Sequence, residues 1–171
     1  MPNWCDCELE VTAKEGCEKQ LKDFKTFACE KCSDGVNQLS ANKFIPYPAT
    51  FKKLDKEAAE HIKNHPGDWK NHPKDGFNQG GYEWCIANWG TKWGLCDVEL
   101  ANENKDSLSY EFKTAWSPPL PIIKKMGEMF PDLEFSLRYF ECGVGFNGWY
   151  LIKNGKIEKD ETGKYYGNRG G

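Results

Sequence analysis

Arginine is nearly missing from this chain: of 23 basic residues only Arg138 and Arg169 are arginines, and the rest are lysines. The planar arginine fork is the preferred group for gripping phosphate and stacking on bases. With 26 acidic residues and a net charge of -3, the chain makes a poor electrostatic footprint for nucleic acid. Long apolar runs are missing too. None approaches the roughly 20 residues that a membrane-crossing helix needs, so no membrane partner is expected. The opening Met1-Pro2-Asn3-Trp4-Cys5-Asp6-Cys7 lacks the basic start and apolar stretch of a secretory leader. The expectation is a cytoplasmic protein whose eight cysteines are thiols.

Aliphatic side chains are few: 22 Val, Ile and Leu stand against 24 aromatics. Such a core is built from large flat rings, and some of the seven tryptophans can serve as surface anchors. Nucleophile elbow, phosphate loop and catalytic Cys–His signature are all absent. So is the four-cysteine run of a bacterial ferredoxin. The length of 171 residues suits one domain, or one domain carrying a long insertion.

What is present reads as alternating strands and helices. Residues 4–12 alternate, with Cys5, Cys7, Leu9 and Val11 on one face and Asp6, Glu8, Glu10 and Thr12 on the other; that is a half-buried strand. Residues 15–32 switch to helical spacing, with Cys17, Leu21, Phe24, Ala28 and Cys32 sharing a face. Residues 36–80 are irregular, with an extended stretch through Pro46 and Pro48 and a helix from Leu54 to Asn64. The stretch 67–81, rich in Gly, Pro and Asn, reads as a loop, and 82–93 as helix or loop. Strands are expected at 96–100, 108–115, 133–141 and 146–153, with a helix over 120–130 entered through Pro118-Pro119. Asn154-Gly155 is a hairpin turn into a last strand at 156–160, and residues 162–171 are expected to form a flexible tail.

Without an insertion at about 33–81, the order is βαββαβ plus a C-terminal hairpin. That is the split βαβ, ferredoxin-like arrangement. The expected fold is a single α+β domain over 1–161: an antiparallel sheet with two main helices on one face.

Five segments then carry a resemblance. They are Pro2-Asn3-Trp4-Cys5, Phe44-Ile45-Pro46-Tyr47-Pro48, Asn88-Trp89-Gly90-Thr91-Lys92-Trp93, Thr114-Ala115-Trp116-Ser117-Pro118-Pro119, and Tyr139-Phe140-Glu141 with Phe146-Asn147-Gly148. Spread over about residues 2–150, they resemble the YubB-type proteins, uncharacterised proteins with a ferredoxin-like domain found largely on phages, plasmids and other mobile elements. The resemblance implies the fold and a mobile-element origin. It brings no activity, and "ferredoxin-like" implies no iron–sulfur cluster.

The candidate ligand-binding residues are Trp89, Lys92, Trp93, Trp116 and Glu141. They sit in those motifs at strand ends that the topology can bring together. Flat rings with one Lys and one Glu can stack a ring-like ligand and fix its polar edge. The competing reading is packing, with the tryptophans covering the sheet and Lys92 bridging to Glu141.

Cys29-Glu30-Lys31-Cys32 has zinc-ligand spacing, yet a structural site needs four ligands and no second close pair exists. Cys5, Cys7 and Cys96 fall among core positions, where a thiol behaves as a small hydrophobe. His61 and His65 are four apart on the expected helix and His72 follows; without the metalloprotease Glu between them they read as solvated. Gly143-Val144-Gly145-Phe146-Asn147-Gly148 matches a dinucleotide fingerprint letter for letter. It leads into a strand rather than a helix, so it reads as a turn between strands. No metal or cofactor is expected.

The functional expectation is a non-enzymatic binding module from a phage or other mobile element. Its partner would be a small molecule or a host protein, with counter-defence as one use. A single-stranded nucleic-acid binder, and an enzyme on a nucleotide-like substrate using Glu141 and Lys92, are the alternatives.

Overall fold

A computed structural model describes residues 2–31, 37–68 and 70–167. The alternating segment forms strand β1 (Trp4–Ala13). Helix α1 (Glu18–Ala28) follows, burying Leu21, Phe24 and Ala28. It stops short of the expected end. The Ala28 carbonyl accepts from the Ser40 amide at 3.0 Å, and β2 (Cys29–Lys31) pairs with β3 (Asn37–Leu39) instead. Helical spacing at Cys29 and beyond therefore loses to a two-stranded ribbon; Cys32 lies outside the described residues.

Short helix α2 (Ala41–Phe44) is capped by the Ser40 hydroxyl. Helix α3 (Ala49–Asn64) begins directly after Pro48, five residues before the expected start. Proline is tolerated at a helix start because its missing N–H would be unsatisfied there. Helix α4 (Gly81–Trp89) makes the first part of the 82–93 stretch helical, and residues 90–93 form the loop after it.

Then come β4 (Cys96–Glu103), β5 (Ser107–Ala115), α5 (Leu120–Met129), β6 (Leu133–Glu141), β7 (Phe146–Lys153) and β8 (Lys156–Lys164). The Asn154-Gly155 turn has both residues left-handed, at φ 53° and 68°, as a two-residue hairpin of matching twist requires.

The six-stranded sheet runs β4-β5-β1-β6-β7-β8, antiparallel throughout. Its first four strands are the ferredoxin-like set, and β7–β8 extend it. The last strand reaches Lys164, past the expected domain end at 161. Thr162 is held there by a 2.6 Å contact with the Tyr139 hydroxyl, so the frayed tail does not begin at 162. Residues 168–171 lie outside the described residues.

One face of the sheet carries the core. Register places Cys5, Cys7, Leu9 and Val11 beside Thr114, Phe112, Tyr110 and Leu108 on one side and Glu141, Tyr139, Leu137 and Phe135 on the other. Helices α1 and α5 cover it with Leu21, Phe24, Ile122, Ile123 and Met126, all buried. Edge strand β4 departs from simple alternation: it is bulged, with Asp97 at φ 49°. Cys96 is consequently half-buried rather than a core residue.

Candidate functional site

Two of the motifs are knotted together at the end of β5. Helix α4 terminates on Gly90 at φ 76°, a conformation that favours glycine, and a β-carbon there would lie 2.7 Å from Pro121. The Thr91 hydroxyl donates to the Ala115 carbonyl at 2.9 Å. The Ser117 hydroxyl donates to the Gly90 carbonyl at 2.6 Å, and the Thr114 hydroxyl to the Ser117 carbonyl at 2.9 Å. The Trp116 amide reaches back to the Asn3 carbonyl. Serine, threonine and glycine in these motifs thus serve to hold a loop against a strand end.

That knot sets Lys92 against two rings. Its ammonium lies 4.6 Å from the Trp116 ring centroid and 4.9 Å from that of Trp93, within the range of a cation–π contact. Trp93 meets Trp4 edge-on, and Tyr82 meets Trp116 edge-on. Trp116 is 40% exposed and sits at φ 77°, an outlier for a bulky side chain. Beside it is a depression of about 290 Å³ lined by Phe77, Asn78, Tyr82, Glu83, Lys92 and Trp116. Tyr82, Glu83 and Phe77 are the residues that sequence reasoning missed. Nothing in the pattern of the polar stretch around Phe77 singled these residues out.

Of the five expected site residues, the structure brings Lys92, Trp93 and Trp116 together and places the other two elsewhere. Trp89 points into the core at 7% exposure. Its indole donates to the Ile45 carbonyl at 2.8 Å, and its ring packs on Tyr47 and Trp84. Glu141 is fully buried beneath the β6–β7 turn. Its two oxygens accept the amides of Gly143 at 2.9 Å and Val144 at 2.6 Å. It therefore pins a turn and makes no bridge to Lys92. Glu141→Gln swaps one acceptor for an NH₂ group facing an amide. It is expected to cost about 1–3 kcal/mol in chemical denaturation, while Lys92→Gln on the surface stays within about 0.5 kcal/mol.

The glycine-rich stretch has a structural account. A β-carbon at Gly143 would abut the Asn3 side chain and Glu141, Gly145 is left-handed at φ 94°, and Gly148 lies under the Tyr139 ring. The stretch turns from strand to strand, with no helix start to receive a pyrophosphate.

Cys5 and Cys7 are buried in the core, and burial pushes the Cys7 thiol well up. Cys85 is pushed up to about 11 by burial and then by Asp55. Cys7 and Cys85 are therefore poor nucleophiles and poor thiolate ligands. The three histidines, expected to be solvated, gather at the end of α3, with His65 exposed and His61 and His72 half-buried: His61 stacks on His65 at 4.5 Å, and His72 meets His61 at 5.6 Å. Among the described residues no three His, Cys, Asp or Glu side chains are arranged to hold a metal ion.

The open sheet face bears on the nucleic-acid alternative. Asp6, Glu8, Glu10, Glu111 and Glu134 lie on it by register. On the same face Trp149 is stacked by Arg138 at 4.1 Å and by Lys159 at 3.9 Å, and Phe140 lies opposite Asp6. Lys113 lies opposite Asp6 and Arg138 opposite Glu8 on this face, so its acidic and basic groups are interleaved.

Comparison with known proteins bears on the fold. Residues 95–166 match the family model described as the ferredoxin-like domain in Api92-like protein; this stretch holds β4 to β8. The crystal structure of protein Api92 from Yersinia pseudotuberculosis matches with a TM-score of 0.53 and 12% identity, covering 99% of this chain and 100% of that one. At that identity the likeness shows the fold alone: a ferredoxin-like α+β arrangement. No curated protein matches the chain.

Proposed function

We propose that this chain is a non-enzymatic binding module that captures a small, flat, ring-bearing molecule on the shelf formed by Trp116, Lys92 and Tyr82. One observation carries the reading. Trp116 is held half-open to solvent in a backbone conformation that bulky residues avoid, and strain of this kind persists at working sites because the surroundings enforce it. The knot at Gly90 and Ser117 supplies that enforcement. Lys92 offers a positive charge at the rim, which favours a ring carrying an anionic group. Phe77 and Tyr82 supply further aromatic wall.

The separation of Lys92 from the buried, fully engaged Glu141 removes the pair on which the enzymatic alternative depended. The motif resemblance to YubB-type proteins supports a mobile-element origin, with interception of a host compound in counter-defence as the use. No described helix is long and apolar enough to cross a membrane, and the cytoplasm is the compartment we assign.

Native mass spectrometry of freshly purified protein tests the reading. Extra mass released on denaturation is expected for wild type and absent in Trp116→Ala, whose fold persists. Adenosine monophosphate and indole-3-acetate serve as ring-bearing anions in a parallel tryptophan-fluorescence titration. A bare mass together with no quenching by either probe overturns the small-molecule reading and leaves a host protein as the occupant to pursue.

A further inference from the structure

A second cavity lies away from the Trp116 shelf, between α1, the β2–β3 ribbon and edge strand β4. It encloses about 840 Å³, the size of a pocket for a drug-like molecule. Its walls are largely apolar, with Leu39 from the ribbon and Val98 and Leu100 from β4. At its rim the Lys25 ammonium contacts the Glu103 carboxylate at 2.6 Å, tying α1 to β4 across the opening. Cys29 lines the ribbon side.

The floor holds the informative group. Tyr110 is only 3% exposed, and its hydroxyl is buried with no hydrogen-bond partner. Register sets Tyr110 opposite Leu100 of β4, and both line the cavity together with Cys29 and Glu103, so the tyrosine side chain faces the cavity. Burial pushes its ionisation far up, and it stays a neutral donor at neutral pH. A buried hydroxyl without a partner is rare in folded proteins and calls for an occupant that satisfies it. At the opening Lys25 and Glu103 neutralise each other, and the other charged residues of the lining are Lys22 and Glu99, one of each sign, so the rim favours no charged ligand.

We infer that this groove is a binding site for a neutral, largely apolar small molecule whose single carbonyl oxygen accepts the Tyr110 hydroxyl while its apolar body lies on Leu39, Val98 and Leu100. The site is independent of the Trp116 shelf.

The solvatochromic ketone prodan, which is neutral, apolar and carries one carbonyl, is a suitable probe for the full chain. A blue-shifted, saturable fluorescence response is expected with wild type. Tyr110→Phe, which removes only the oxygen, is expected to weaken it about tenfold without loss of thermal stability. Leu100→Lys, at the exposed mouth, is expected to abolish it with the fold intact by circular dichroism. Trp116→Ala is expected to leave it unchanged. Alkylation of Cys29, followed by peptide mapping, is expected to slow in the presence of probe. No response with wild type overturns the inference. So does a response equally strong in Tyr110→Phe and Leu100→Lys, which would mean that water alone satisfies the hydroxyl. A response lost only in Trp116→Ala would place the probe on the other shelf and equally overturn this site.

Discussion

Phe24→Ala is expected to lower the free energy of unfolding by about 4 kcal/mol, within the range for emptying a fully buried phenylalanine site. The side chain is completely buried, and its ring meets three others. Phe44 of α2 lies at 5.9 Å, Phe130 after α5 at 5.3 Å and Phe135 of β6 at 5.4 Å. With Phe24 itself, these rings come from four different parts of the chain, so the cavity cannot close by moving one element. The loss combines the transfer of the ring with contacts that its neighbours cannot remake. Phe44 is one of the insertion's anchors to the core. Proteolysis at the extended residues 45–48 should therefore accelerate in the same variant. Guanidinium denaturation measures the first effect; a drop under about 1.5 kcal/mol, with proteolysis unchanged, would mean that the insertion is held by other contacts.

Gly148→Ala is expected to be nearly as damaging, at about 3 kcal/mol, the upper part of the range for overfilling a packed site. A β-carbon there would lie 1.9 Å from Tyr139 Cζ and 2.0 Å from its hydroxyl. The ring cannot swing away cheaply, because it is buried and its hydroxyl is engaged by Thr162 on β8. A double-mutant cycle identifies the cause. Tyr139→Leu alone is destabilising. Combined with Gly148→Ala, it is expected to cost less than the sum of the two, because the clash is then gone. Additive effects would place the damage in the backbone rather than under the ring.

The strands were legible because each has one wet and one dry face, which writes a period of two into the sequence. β1 shows it most plainly, and its boundaries stand within a residue. Where several groups compete for one backbone donor or acceptor, local pattern says less. The run through Cys29 keeps helical spacing, yet the Ala28 carbonyl goes to Ser40, and a ribbon replaces the last turn. At the far end, Gly163 and its neighbours read as loose, but pairing along β7 outweighs local preference.

The same division holds at the site. Lys92, Trp93 and Trp116 were legible because strand β5 and the loop after α4 end at one place in the topology. Glu141 ends a strand at that same margin of the sheet. Adjacency of strand ends, however, does not say which way a side chain turns, and two unpaired amides in the next turn claimed its carboxylate. Trp89 was indistinguishable from Trp93 by composition; one helical residue faced inward and the loop residue outward. Tyr82 and Phe77 could be placed only by tertiary structure, since they lie in a stretch with no period of its own.

The sheet's two margins have a consequence for crowding. β8 presents Lys156, Glu158, Lys159, Asp160 and Glu161 along an exposed border, and the opposite border, β4, is interrupted by register shifts at two points. Charged side chains and bulges are the means by which proteins stop one sheet from templating another. A chain so rich in flat rings would otherwise be prone to stack border to border at high concentration. Both flanks deny an incoming strand a straight, uncharged track.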